Sequence, residues 1–206
     1  LRETNKWFSD DLFDQITTIN QQVQLYKNDE KLVIDSLDIG LELKKIRGGP
    51  IFDEINTRMN NKLDCLNKTT KECKWINGLK YYAYSAHDTT IYAVFSIMGI
   101  QSMVVQPAYP EYAAATFIEL WLNRTDGQPY FKMTYRQSSS NTTLYPITSM
   151  ITGCTAEYCS LDVFRRLAHG SRPDLPMEQV GYNTVDKLTK PVLLVVRRRS
   201  TEIEFS

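Results

Sequence analysis

The stretch Leu79–Met98, LKYYAYSAHDTTIYAVFSIM, decides how the rest of the chain is read. Leu79 to Ser85 is a compact aromatic and apolar run of the kind that forms a strand buried on both faces. Ile91, Val94, Phe95 and Met98 recur at helical spacing, and Gly99 stands where a left-handed C-cap residue belongs. Between the predicted strand and the predicted helix lie Ala86, His87, Asp88, Thr89 and Thr90. Open α/β sheets place ligand sites where a strand ends in polar residues and a helix begins. The helix start adds free N–H groups and a partial positive charge suited to an anion. His87 and Asp88 are neighbours, so the backbone alone keeps an imidazole and a carboxyl within reach of one substrate. Such a pair suits phosphoryl transfer, in which a cationic ring steadies the phosphate oxygens and a protonated acid delivers its proton to the leaving group. The competing reading is a structural histidine followed by an Asp N-cap.

Working outward, the 206 residues suffice for one sizeable domain or for part of a larger one. Lys plus Arg number 24 and Asp plus Glu number 24, so no global field favours nucleic acid or an anionic membrane. Ample aromatic content, Tyr above all, argues against disorder. The cysteines form two local groups, Cys65/Cys73 and Cys154/Cys159. Four cysteines allow three connectivities, and local pairing closes each short loop at little entropic cost. A zinc site is the competing view, but these spacings are poor zinc signatures, and no metal is expected. Three sequons, at Asn67, Asn123 and Asn141, fall in polar, turn-like stretches and read as glycosylation acceptors. Together with paired cysteines they point to a secreted or lumenal protein, lysosomal or extracellular.

Ser9 is a predicted N-cap, with Leu12, Ile16, Ile19, Val23 and Tyr26 following as one helix face. A second helix is expected from about Glu30 to Ile46, stopped by Gly48-Gly49, and a third from Pro50. These apolar faces read as ordinary core packing. Cys65 to Trp75 and Gln101 to Ala113 read as loops. Thr116–Leu122 and Tyr130–Arg136 form the clearest predicted hairpin, turning at Asp126-Gly127, with Phe131, Met133 and Tyr135 alternating against Lys132, Thr134 and Arg136. A short strand is expected near Leu144-Tyr145, ending at Pro146, and a short helix beginning at Leu161. The apolar run Val192–Val196 before Arg197-Arg198-Arg199 is far too short for a membrane anchor, because a span needs about twenty residues. The tail 178–206 stays unassigned.

YSAHDTT, with its strand before and its helix after, resembles the C-terminal signature of the histidine acid phosphatases. IRGGPIFDEI at Ile46–Ile55 is similar to the Gly-Gly segment of that family. The paired strands beyond position 115, the Tyr145-Pro146 dipeptide and Cys154/Cys159 resemble its C-terminal layout, so the likeness runs from Trp7 to about Met177. It implies an α/β fold: a partial phosphoglycerate-mutase-like sheet flanked by helices, lacking its N-terminal strands and most of its helical lid. Residues 1–46 would lie near the lid, and 47–177 would be the C-terminal part of the phosphatase domain.

The family nucleophile is a histidine in an R-H-G-x-R-x-P motif on an upstream strand, and no such motif precedes Leu79. Ala168-His169-Gly170-Ser171-Arg172-Pro173 resembles that motif only in passing and reads as a helix end, with Gly170 as C-cap and Pro173 as stop. The chain starts at Leu1 and reads as the C-terminal half of a longer enzyme. The resemblance implies hydrolysis of phosphate monoesters through a phosphohistidine, without a cofactor, with His87 contacting the phosphate and Asp88 as general acid. The isolated chain would then be inactive. A phytase-like substrate range and a non-catalytic, ligand-binding relic are the alternatives. A homodimer is compatible with the family.

Overall fold

The structure is a computed structural model that describes residues 7–28, 32–105, 109–174 and 192–197. Helix α1 (Asp10–Asn28) starts as expected, with the Leu12 N–H donating to Ser9 Oγ at 3.1 Å. Its apolar residues do not enter the core: Ile16, Ile19, Val23 and Tyr26 are all exposed, Ile19 by 59%. Four of the five residues of the predicted apolar face are thus exposed, with Leu12 half-buried, so the pattern marks a surface there instead of a buried seam.

Two short strands, β1 (Val33–Ile34) and β2 (Leu37–Asp38), occupy the start of the second predicted helix. The true helix, α2 (Ile39–Asp64), begins where Asp38 accepts a hydrogen bond from the Leu41 N–H at 3.1 Å. It then runs unbroken through Gly48, Gly49 and Pro50, where the sequence pattern predicts a stop and a new start. Pro50 removes only one N–H from the ladder. The glycines serve close approach. A Cβ on Gly49 would lie 2.1 Å from the Ser171 carbonyl oxygen, and one on Gly48 would lie 2.8 Å from Ile97 Cδ1 and 3.0 Å from the Ala93 carbonyl oxygen. Space for the neighbouring backbone, not helix termination, explains the Gly-Gly pair.

Helix α3 (Lys71–Gly78) replaces part of the loop predicted for Cys65–Trp75, and the Cys65–Cys73 disulfide ties its first turn to the end of α2. Strand β3 (Tyr81–Ala86) leads into α4 (Asp88–Met98), which closes on Gly99 at φ 71°. A short helix, α5 (Gln101–Val104), precedes the hairpin of β4 (Ala115–Leu122) and β5 (Pro129–Arg136), which pair antiparallel from Ala115↔Arg136 to Leu122↔Pro129. Gly127 takes φ 69° in the turn. Strands β6 (Tyr145–Pro146) and β7 (Cys159–Ser160) both pair with β5. Helix α6 (Leu161–Gly170) follows, capped by Ser160 and closed at Ser171, one residue beyond the predicted C-cap. The second disulfide joins Cys154 to Cys159.

Part of the unassigned tail forms β8 (Val192–Arg197) and enters the sheet between β3 and β4, giving the order β3-β8-β4-β5-β6. It is antiparallel to β3 and parallel to β4. An aliphatic run too short to span a bilayer is the right length for a strand flanked on both sides. The sheet is therefore mixed, with β8 and β4 beginning at the edge where β3 ends. Nor is β3 buried on both faces: Tyr81, Ala83 and Ser85 are exposed while Tyr82, Tyr84 and Ala86 are partly covered.

One face of the sheet carries α2, α4 and α6. Phe52 stacks on Phe164 at 4.3 Å, Phe131 meets the Phe164 ring edge-on at 5.3 Å, and Phe95 meets Tyr135 at 5.3 Å. Phe52, Phe95, Phe131 and Phe164 are fully buried, so this aromatic cluster sets the spacing of all three helices from the strands. Among the described residues no helix is long and apolar enough to cross a membrane.

Replacing Gly49 by Ala drives a methyl group into the Ser171 backbone and is expected to cost about 3 kcal/mol. Gly78→Ala, with nothing within 4 Å of the new Cβ, should change stability by no more than about 0.5 kcal/mol. Urea denaturation of the two variants checks both.

Candidate active site

The site begins with how α2 fastens β3. Lys62 is 8% exposed, and its Nζ donates to the carbonyls of Ile76, Asn77 and Leu79, the last two at 2.9 and 3.1 Å. These carbonyls close α3 and open β3, and a buried ammonium is tolerated there because a helix C-terminus offers negative partial charge and carbonyl acceptors. One turn earlier, the Arg58 guanidinium lies 3.6 Å above the Tyr82 ring. Its Nε donates to Tyr84 Oη at 2.9 Å, and its Nη2 donates to Glu54 at 2.6 Å. Tyr84 in turn donates to the same Glu54 oxygen at 3.3 Å. Strand β3 is thus held on its covered face by two cations from one helix.

That strand delivers His87 and Asp88 to the edge of the sheet. His87 is the N-cap of α4 in extended conformation, φ −87° and ψ 163°, and its carbonyl accepts from the Thr90 and Ile91 N–H groups at 3.0 and 3.2 Å. Its imidazole makes no capping bond to the start of α4. Asp88 is the first helical residue, not the N-cap, and its Oδ1 accepts from the Thr89 N–H at 2.6 Å. Both side chains are half-buried, so neither is sealed among apolar neighbours. The arrangement sets an imidazole, a carboxyl and a helix N-terminus at one strand end, a combination suited to an anionic ester.

Other candidates lie elsewhere. His169 is exposed in the last turn of α6 and does not share the strand edge. Arg136 ends β5 on the same edge as His87, three strands away, about 14 Å by ordinary strand spacing. Its Nη2 holds the Ala113 carbonyl at 2.9 Å. Among the described residues no cluster of His, Cys, Asp and Glu could hold a metal ion. Of the sequons, Asn67 is exposed, Asn141 is half-buried with Nδ2 donating to Gln137 and Tyr145, and Asn123 is 7% exposed inside the hairpin turn. Sequence reasoning missed Glu54, Arg58 and Lys62. The Glu54/Arg58 pair at i, i+4 was the visible signal, but it reads equally as a surface pair.

Residues 1–136 match the family model described as the histidine phosphatase superfamily (branch 2). The chain is 33% identical over 173 residues to the Caenorhabditis elegans protein named "Putative acid phosphatase 11", which covers 81% of this chain and 42% of the relative. A second relative from the same organism, "Putative acid phosphatase 10", is 33% identical over 141 residues, 68% of this chain and 34% of its own length. The chain therefore spans less than half the length of these relatives. No solved structure matches it.

Burial pushes the Tyr84 hydroxyl up to about 12, reinforced by the Glu54 charge and opposed by Arg58. Burial likewise pushes Tyr135 up to about 12. A phenol whose folded value exceeds its unfolded value of about 10 contributes stability that is complete below pH 10 and disappears as pH rises towards 12. Thermal melts across that window should show the loss, and Tyr84→Phe should remove part of the pH dependence while leaving the Tyr135 part.

Proposed function

The chain belongs to branch 2 of the histidine phosphatase superfamily, and from that premise we propose that it supplies the general-acid half of a phosphate monoesterase site. The observation that carries this reading is the half-buried His87–Asp88 pair at the junction of β3 and α4. In the complete protein a histidine outside this chain attacks phosphorus and forms a phosphohistidine, while the ester oxygen departs. Asp88 protonates that leaving oxygen and, in the second step, takes a proton from the water that attacks the phosphohistidine. His87, as the imidazolium, contacts the non-bridging oxygens and steadies the charge that builds on them. The α4 N-terminus adds its partial positive charge on the same side. The charge work is done by side chains, and the route needs no cofactor.

Of the histidines in this chain, His87 is used as the phosphate contact and His169 is exposed on α6. We assign the nucleophile to the longer protein for that reason, and the chain by itself is inactive. Residues 1–46 belong near the helical lid and 47–177 to the C-terminal part of the phosphatase domain, which β8 (Val192–Arg197) joins by pairing with β3 and β4. The names of the relatives favour an acid phosphatase over a phytase. The two disulfides favour a secreted or lumenal setting. The exposure of Asn67 favours it over Asn123 as a glycan acceptor.

Asp88→Asn in the complete protein should lower kcat for p-nitrophenyl phosphate by at least about a hundredfold and change KM much less. Unchanged kcat would remove Asp88 from the acid role. The isolated chain should release no p-nitrophenol at any pH, and turnover by it would place a nucleophile within these residues and overturn the assignment.

A further inference from the structure

Among the described residues, two arginines carry a buried Nε that meets no hydrogen-bond partner, Arg47 and Arg136. Arg136 still holds the Ala113 carbonyl through its Nη2 and ends β5, three strands from β3. The Arg47 side chain has no such bond, and none of the ion pairs among the described residues engages it. A guanidinium cannot shed its charge, and closing one of its N–H groups off from water without an acceptor costs stability.

The position of Arg47 follows from the helix that carries it. Arg47, Glu54 and Arg58 recur at seven- and four-residue steps and therefore share one stripe of α2. That stripe faces β3, because Arg58 reaches Tyr82 and Tyr84 and Glu54 reaches Tyr84. The helix runs against the strand, with Lys62 at Leu79 and Glu54 five residues further along β3 at Tyr84. From Glu54 back to Arg47 the helix rises about 10 Å. From Tyr84 on to His87 the strand rises about 10 Å as well. Arg47 therefore stands level with His87, on the side of α2 that looks at β3. A second marker agrees. A Cβ on the adjoining Gly48 would lie 3.0 Å from the Ala93 carbonyl oxygen, and Ala93 is five residues past Asp88, about 7.5 Å along α4. Helical side chains lean towards their own N-terminus, which carries the Arg47 guanidinium in the direction of the α4 start.

We propose that Arg47 is a further phosphate contact of the His87–Asp88 site, its guanidinium donating to non-bridging oxygens of the bound ester. The proposal rests on the phosphatase reading and deepens it. A planar fork of N–H donors matches two phosphate oxygens at once, and its charge adds to the His87 imidazolium and the helix N-terminus in answering a dianion. The unsatisfied N–H of the free protein is then a donor held ready for the ligand.

Inhibition of the complete protein by inorganic phosphate, with p-nitrophenyl phosphate as substrate, tests this. Arg47→Gln should raise the Ki for phosphate and the KM at least tenfold and change kcat much less. Thermal melts without phosphate should show no fall in Tm, since the variant loses no protein contact. Added phosphate should raise the Tm of the unsubstituted protein more than that of the variant. If Arg47→Gln does not fold, Arg47→Lys decides: it keeps the charge without the fork and should still raise Ki at least threefold. Unchanged Ki, or a raised Ki accompanied by a lowered Tm, would overturn the proposal. Asp88→Asn separates the two readings: loss of kcat there beside unchanged phosphate affinity in Arg47→Gln sinks Arg47 alone, whereas unchanged kcat in Asp88→Asn removes the phosphatase reading and this proposal with it.

Discussion

A lysine ammonium buried against three backbone carbonyls is the contact on which the geometry of this molecule turns. Lys62 leaves water to meet Ile76, Asn77 and Leu79. Burial of a lone charge is costly, and it is tolerable here because all three of its donated bonds meet backbone carbonyls at and just beyond the negative end of α3. The carbonyls in question close one helix and lead into β3, the edge strand that carries the candidate site. Fixing Leu79 therefore fixes the start of β3, and an extended chain carries that constraint to His87 in a straight line. Arg58 repeats the attachment one turn away, on side chains instead of backbone, with its guanidinium flat on Tyr82 and its Nε on Tyr84. The placement of the imidazole and carboxyl at the sheet edge thus rests on α2 as much as on their own strand.

For α2 to do this it must lie close to everything else, and its composition permits that. Gly48 faces the backbone of α4, and Gly49 faces the backbone after α6, each at a distance where a methyl group has no room. Further along the same helix Phe52 stacks on Phe164. Arg172 bonds to Asp53, Lys45 to Asp174, and the Arg165 Nε to Asn60 Oδ1, so α6 and the turn beyond it are held along the outer side of α2. Exposed pairs of this kind contribute little energy each; the buried rings and the glycine clearance decide the approach. One helix thereby joins the strand that carries the candidate site to the helices that cover the sheet.

Membership of the superfamily and the His87–Asp88 junction belong to different levels of description. The first is a statement about the whole stretch that matches, and the second is a local arrangement of one strand end and one helix start. They meet because the matched stretch contains the junction, which sets an imidazole, a carboxyl and a helix N-terminus within adjacent residues.

What the sequence by itself determined is the local part. Strand, His-Asp and helix in succession, the Gly99 cap, the hairpin through Gly127 and the short-range cysteine pairing all depend on residues within a few positions of one another, where hydrogen-bond geometry and loop closure leave few choices. The candidate site was legible for the same reason, since its two side chains are neighbours. Only the tertiary structure decided that Gly48-Gly49-Pro50 lies inside one helix, that the run Val192–Val196 is a strand between β3 and β4, that one side of β3 and the apolar face of α1 are exposed, and that Lys62 and Arg58 hold the site's strand. Each of these turns on which distant segment lies alongside, and a periodic pattern of apolar residues records that a face can be buried without recording what, if anything, covers it.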